Sequence, residues 1–430
     1  MAVAVWLIVF AAVFALGYPI AFGMLISSVL YLIIAQIDLF TVMDIMIIQF
    51  ENQFVLLSVP LFIFTAKVMN SSKLTDKLFD FAKVLVGPVK GGLGHVNVVA
   101  SIIFAGMSGS EIADVAGLGA VEIKAMQDAG YDGPFSCAVT CASATIGPII
   151  PPSIPMIIYS MLSGASVGYL FLGGVIPGLI LGASIMVLIV ILAYKRNYPS
   201  GNWVPIREFV QILGRSIFVI LAPVILLGGI YGGIFTPTEA AAIVGVYVLV
   251  LSLFVYRTLG IRNLYKVFIE SVLSTGFVSF IVACSFIFGY VVAREEIPAL
   301  ITNGFVRLGL MNARWTVLLS LNILFLILGC FIDVSAILLI VVPIVLPLVK
   351  AAGIDLVHFG VVTVFNLMIA LDTPPYGETT FITSAISGTP LPKVIREMIK
   401  FIFFEMLALF IITYLPDTVL WLPRLAGYQG

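Results

Sequence analysis

The sequence predicts an all-α polytopic membrane protein whose two halves share one plan. Three observations carry that prediction. Apolar residues fill 61% of the 430 positions and charged residues only 10%, against about 25% charged in an ordinary soluble domain. Long stretches hold no Asp, Glu, Lys or Arg: 1–37, 133–194, 271–293 and 315–332, with Glu239 alone in 216–256. The chain also matches itself at an offset of 223 positions, which lays Pro151-Pro152 on Pro374-Pro375. At the same offset Gly106 falls on Gly329, Ala113 on Ala336, Asp132 on Asp355, and Val139-Thr140 on Val362-Thr363. The 21 Lys and Arg against 22 Asp and Glu give no basic face for nucleic acid. The lipid bilayer is the solvent, and at about 20 residues per crossing the chain has room for about a dozen segments.

The elements follow in chain order. Met1 to Phe22 lacks a positive n-region and a cleavage site, so it reads as a first membrane segment and not as a signal peptide. From 72 to 90, Lys73, Asp76, Lys77, Asp80 and Lys83 alternate with Leu74, Leu78, Phe79, Phe81 and Leu85, the pattern of an amphipathic helix lying at the interface. An apolar arm of roughly 10–14 residues then reaches the tip Gly106-Met107-Ser108-Gly109-Ser110, and that length suits a re-entrant hairpin. After a turn at Asp128–Gly133, a long apolar segment is broken at Gly147-Pro148-Ile149-Ile150-Pro151-Pro152-Ser153.

Two basic clusters follow, Lys195, Arg196, Arg207 and Arg215, then Arg257, Arg262 and Lys266. Two apolar spans separate them, so both clusters face one side, the cytoplasm. Between those spans, Thr236-Pro237-Thr238-Glu239 has the form of a helix-capping box, a structural feature. The second half repeats the hairpin and the break, with tip Gly329-Cys330-Phe331-Ile332-Asp333, turn Ala351–Asp355 and break Asp372-Thr373-Pro374-Pro375-Tyr376-Gly377.

The breaks carry the chemistry. A double proline removes donors and forces unwound backbone, which hydrocarbon tolerates only beside a polar cavity. Free carbonyls there can hold a cation, and the following helix N-terminus can face an anion. Matching breaks in two halves point to a transporter's binding site. Asp333 and Asp372 stand alone in apolar stretches, which makes each a candidate for cation binding, with a helix cap or a shifted membrane boundary as the structural alternatives. Ser108, Ser110 and Ser153 offer hydroxyls to sodium or to a carboxylate, or simply let helices pack closely. Glu111 and Asp114 answer the dipole of the helix they begin.

The four cysteines, Cys137, Cys141, Cys284 and Cys330, read as buried apolar residues. His95 and His358 are the only histidines, which excludes a zinc site. An intramembrane protease using Ser108, or the pair Asp333 and Asp372, is a competing reading. A serine nucleophile needs a base, and neither histidine lies where one is expected.

The motifs Phe104-Ala105-Gly106-Met107-Ser108-Gly109-Ser110, Ala113-Asp114 and Gly117-Leu118-Gly119 resemble the large membrane subunit of the tripartite ATP-independent periplasmic (TRAP) transporters. So do Gly92-Leu93-Gly94-His95-Val96-Asn97-Val98, Gly147-Pro148 with Pro151-Pro152-Ser153, Thr236-Pro237-Thr238-Glu239-Ala240-Ala241 and Thr373-Pro374-Pro375-Tyr376-Gly377. The resemblance covers nearly the whole chain. It implies two inverted repeats and an elevator mechanism, with a scaffold domain and a sliding transport domain. It implies a non-enzymatic, sodium-coupled import of an organic acid across the bacterial inner membrane. The implied partners are a periplasmic substrate-binding protein and a small four-helix membrane subunit, a separate chain because no such extension precedes Met1.

Carried onto this chain, the resemblance puts sodium at Ser108, Ser110, Gly147 and Ile150, and at Gly329, Asp333, Asp372, Thr373 and Thr379. It puts substrate near Ser108, Ser153, Asp333 and Tyr376. No cofactor is expected beyond sodium as coupling ion. No Lys or Arg is expected in the core, so sodium, helix N-termini and hydroxyls would hold the substrate carboxylate. The wording of the first half leans toward sialic acid, with a C4-dicarboxylate or another carboxylate as the alternative, and an unrelated ion-coupled carrier behind both.

The implied organisation runs as follows: scaffold helices of the first repeat at 1–72, an interfacial helix at 73–92, and a transport hairpin with broken helix at 93–165. A scaffold helix and connector take 166–215. In the second repeat, scaffold helices take 216–270, a helix and connector 271–314, the hairpin and broken helix 315–390, and a C-terminal helix 391–430.

Overall fold

The computed structural model describes residues 2–201, 203–375 and 377–430, and among them all regular structure is helical. The first half holds α1 (Ala2–Ala15), α2 (Ile20–Ile34), α3 (Leu39–Asn52), α4 (Ser58–Ser71), α5 (Leu74–Val86) and α6 (Gly92–Ser108). Then come α7 (Glu111–Asp114), which runs through a π turn at Val115–Gly119 into α8 (Ala120–Asp128), and α9 (Gly133–Ala144), α10 (Ile154–Ser163) and α11 (Val167–Arg196). The second half holds α12 (Ile206–Tyr231), α13 (Pro237–Val250), α14 (Ile261–Arg294), α15 (Ile297–Arg307) and α16 (Arg314–Gly329). It closes with α17 (Val334–Ala351), α18 (Leu356–Asp372), α19 (Glu378–Ser387), α20 (Leu391–Tyr414) and α21 (Asp417–Leu425).

Three expectations change. The room for a dozen crossings is not used that way. Among the described residues six helices are long and apolar enough to span, and a seventh span exists if α20 and α21, bent by 56°, count as one. The remaining apolar length lies in helices of 10–17 residues, namely α1, α2, α6, α10, α16 and α18. The first segment, 1–22, is not one span, because Gly17 turns left-handed at φ 79° and Pro19 starts a new helix. The hairpin arms are longer than the apolar runs suggested, 17 residues in α6 and 16 in α16. Their length of about 25 Å still falls short of a bilayer core of about 30 Å.

Other elements follow the pattern. The α5 helix buries Leu74, Leu78, Phe79 and Ala82 against α6 and α12 and leaves Asp80 and Lys83 exposed. Thr236 and Glu239 form the capping box that starts α13, at 2.8 Å and 3.3 Å. All four cysteines are free and buried. The 34-residue α14 runs unbroken through position 270.

Helix limits keep the offset of 223 positions. α7 starts at Glu111 and α17 at Val334; α8 ends at Asp128 and α17 at Ala351; α9 starts at Gly133 and α18 at Leu356. The caps match as well. Asp132 accepts from the Phe135 N–H at 2.9 Å and Asp355 from the His358 N–H at 2.9 Å.

Packing gathers most helices into two groups, bridged by α5, which packs on both α6 and α12, and by the contact of α14 with α17. α1, α2 and α3 join α14, and α4 lies on α13 and α14, with α12 against α13. The other group joins α6, α9, α11, α18 and α20, with α16 on α18. Within it each hairpin reaches the other half, as α17 packs on α10 and α8 on α19. A polar cluster ties α9, α11 and α20 together at the basic end. Arg196 bonds Asp132 at 3.0 Å and Glu397 at 2.5 Å, and Tyr198 donates to Asp132. Burial first, and then that bond to a carboxylate, hold the Tyr198 hydroxyl above its ordinary value.

Candidate functional site

The first tip is docked on the first break through backbone. α6 ends at Ser108, and Gly109 turns the chain at φ 61°. A Cβ there would lie 2.7 Å from the Pro152 carbonyl oxygen, so only glycine permits the approach. The Gly109 carbonyl accepts from the Ile154 N–H at 3.4 Å. Ser110 and Ser153 are N-caps, accepting from Ala113 and Met156 N–H at 3.4 Å and 3.2 Å. Gly147 lies beside the tip, its Cβ position 3.5 Å from the Ser110 carbonyl oxygen. The break is seated on α11: a Cβ at Gly174 would stand 2.2 Å from the Ile149 carbonyl oxygen, and Ile150 fills the space above Gly178.

The second tip and break meet in the same manner. The Cβ position of Gly329 is 2.4 Å from the Ala370 Cβ, which places the tip two residues before Asp372. Asp372 ends α18 fully buried and accepts from the Thr379 hydroxyl across the break. Thr373 turns its hydroxyl back to the Ile369 carbonyl at 2.7 Å. Tyr376 lies outside the described residues.

The structure therefore brings Ser108, Ser110 and Gly147 together, and Asp372 with Thr379. It separates the two aspartates that the sequence treats alike. Asp333 is half-buried, caps α17 by accepting from Ser335 and Ala336 N–H at 2.9 Å and 3.3 Å, and lines a cavity. Asp372 is inside the protein.

That cavity measures about 750 Å³, a size that suits a small organic ligand. Its floor is the first tip, from Ser108 to Ala113, with Pro148, Ile154 and Pro155 of the first break. The second tip contributes Asp333 to Ser335, and α18 contributes Met368 and Leu371. The rest of the lining comes from α4 and α14. Ser108 is buried here with no partner for its hydroxyl.

Two functional features escaped the sequence reading. Lys67 of α4 lines the cavity, which corrects the expectation that no Lys or Arg lies in the core. The signal was present, since Lys67 is the single charge between Glu51 and Lys73. Glu405 of α20 is the second. It is fully buried with both carboxylate oxygens unpartnered, close to Asp372. Glu111 is also buried, with both carboxylate oxygens unpartnered, and lies near Asp372 and Glu405, so the first tip comes close to the second break. Among the described residues no group of three or more His, Cys, Asp or Glu is arranged to hold a metal ion. A protease arrangement fails on distance, because His95 precedes Ser108 by 13 helical positions, about 20 Å along α6.

Residues 7–418 match the family described as "Tripartite ATP-independent periplasmic transporter, DctM component". The chain is 39% identical to the sialic acid TRAP transporter large permease protein SiaM of Vibrio cholerae, over 96% of each chain. It is 36% identical to the sialic acid TRAP transporter permease protein SiaT of Haemophilus influenzae, over 99% of this chain and 68% of the relative. It is 38% identical to the C4-dicarboxylate TRAP transporter large permease protein DctM of Pseudomonas aeruginosa, over 94% of each.

Proposed function

This chain belongs to the DctM-component family of TRAP transporters, as a multi-pass large permease subunit of the inner membrane working with a small membrane subunit and a periplasmic binding protein, and from that premise we propose that it imports an organic acid by sodium symport and an elevator movement. The observation that carries the proposal is the convergence of both hairpin tips and the first break on one cavity, against a wall from the other helix group.

The chemistry supports a cation-assisted carboxylate site. The carboxylates of Asp333 and Glu270 line the cavity against one positive side chain, Lys67. An anionic substrate entering alone meets net negative charge, and a sodium ion entering with it cancels the excess. The breaks offer sodium its ligands: carbonyls around Gly147 and the Ser108 and Ser110 hydroxyls at the first, Asp372 and Thr379 at the second. Substrate lies between the tips, near Ser108 and Asp333. The shared helix offsets support a repeat of the two halves, and the inversion and the elevator movement are what the resemblance adds to it. Two substrates are in play, because relatives of near-equal identity are named for sialic acid and for C4-dicarboxylates. The first-half motifs favour sialic acid.

The test is uptake of labelled sialic acid and labelled succinate into proteoliposomes holding this chain, its small subunit and the binding protein. Uptake of either that needs both an inward sodium gradient and the binding protein is the expected result. Equal uptake with a proton gradient and no sodium would remove the sodium role of the tips and breaks.

A further inference from the structure

We propose that Lys67 is the anchor for the substrate's carboxylate on the fixed wall of the cavity, and that Glu270 is the counter-charge it exchanges for that carboxylate. The proposal rests on the carboxylate-transport reading and adds a residue to it.

Lys67 lies in α4 at the end of a stretch, 52–66, that carries no other charge. An ammonium in such a place is costly unless something answers it. Its answer is a loose one. The nearest carboxylate oxygen, Glu270 Oε2 on α14, is 4.0 Å away, and the Lys67 side chain keeps 29% of its exposure. Charge-assisted bonds are ordinarily about 2.7–2.9 Å long, and this chain makes such contacts elsewhere, with Lys400 at 2.7 Å from Glu397. Among the described residues Lys67 Nζ donates no hydrogen bond, so its three N–H donors are free toward the cavity.

Glu270 is placed to let it go. Its other oxygen lies 3.8 Å from Lys266, one turn back on α14 and largely exposed. When a substrate carboxylate takes Lys67, Glu270 keeps a cation beside it.

Lys67 and the tips belong to different helix groups. α4 packs chiefly on α13 and α14 and more lightly on α6 and α10, while α6 packs on α9 and α11, and α17 on α10, α14 and α18. Lys67 therefore stays behind when the tips move, and it strengthens binding only in the arrangement seen here. That arrangement lies toward the cytoplasmic side, because α4 runs directly into α5, and α5 packs on the basic start of α12. Lys67 then sets the affinity of the inward-facing form for its anion.

The test is equilibrium binding of labelled sialic acid and labelled succinate, in saturating sodium, to the purified large and small subunit complex. Four forms are compared: wild type, Lys67→Gln, Lys67→Arg and Glu270→Gln. For whichever probe the wild type binds, Lys67→Gln should weaken binding about tenfold or more, and Lys67→Arg should recover most of it. Glu270→Gln should tighten binding, because the ammonium loses its competitor. A merely structural ion pair predicts the opposite pattern, with Lys67→Gln and Glu270→Gln moving binding in one direction. That result, or unchanged binding by Lys67→Gln, overturns the anchor and leaves the transport reading standing. Wild type binding neither probe overturns the carboxylate reading and the anchor with it. If Lys67→Gln does not fold, the sign of the Glu270→Gln effect decides alone.

Discussion

Asp372 and Thr379 make the sharpest claim at the scale of single residues. Asp372 is fully buried and its one hydrogen bond comes from the Thr379 hydroxyl. Losing one partner of a buried pair costs about 1–3 kcal/mol. If sodium sits there, Thr379→Val should raise the sodium concentration for half-maximal uptake about tenfold, while Thr379→Ser should leave it near wild type. A sodium titration of uptake checks this, and an unchanged midpoint in Thr379→Val would exclude Thr379 as a ligand. Asp372 was legible in the sequence because a lone carboxylate in an apolar run stands out without any fold. Lys67 obeyed the same rule and was passed over, since only the placement of α4 against the tips shows that it faces a cavity. Glu405 is the only charge in 401–416 and obeyed the rule too, but Lys400 one turn before it made it read as part of the polar start of α20. Its proximity to Asp372 arises from packing between α18 and α20, which no local pattern announces. Glu111 belongs with it, because a first-turn acid looks like a dipole partner until the other half of the chain is folded beside it.

The elements were more legible than the residues. A double proline acts on its own backbone, so the breaks at Pro151-Pro152 and Pro374-Pro375 could be placed within a few residues. Helix ends were harder. Apolar runs understate α6 and α16 because their first turns are polar or glycine-rich and helical all the same. The seat of the first break on α11 was hidden too, since α11 reads simply as a long apolar helix. It depends on Gly174, where an added methyl would stand 2.2 Å from the Ile149 carbonyl oxygen. Overpacking of this kind costs about 1–3 kcal/mol. Gly174→Ala should therefore lower the Tm of the purified complex and reduce uptake. Gly228→Ala on α12, where an added Cβ meets nothing within 4 Å, should leave both unchanged. Equal behaviour of the two variants would show that α11 does not hold the break.

At the scale of the whole molecule the central claim is movement between two groups of helices. Composition and the offset of 223 positions do not sort them, since both groups are apolar helices. The resemblance did assign 1–72 and 216–270 to the scaffold, which contains α4, α12 and α13, but it also put α11 there, and α11 packs with α6, α9, α18 and α20. Among the contacts from α4 to the first hairpin, one is a side-chain hydrogen bond. Asn70 of α4 donates to the Ala113 carbonyl at 3.1 Å. A Cβ at Gly117 would lie 2.4 Å from the Asn70 Cγ, which puts the two β-carbons at most about 3.9 Å apart and within disulfide reach. The variant carrying Asn70→Cys and Gly117→Cys thus tests the movement most directly. Oxidised in proteoliposomes with both partner proteins, it should lose sodium-driven uptake while the purified complex still binds substrate, and reduction should restore uptake. Full uptake with the cross-link intact would contradict the account, because the tips would then deliver their cargo without leaving α4.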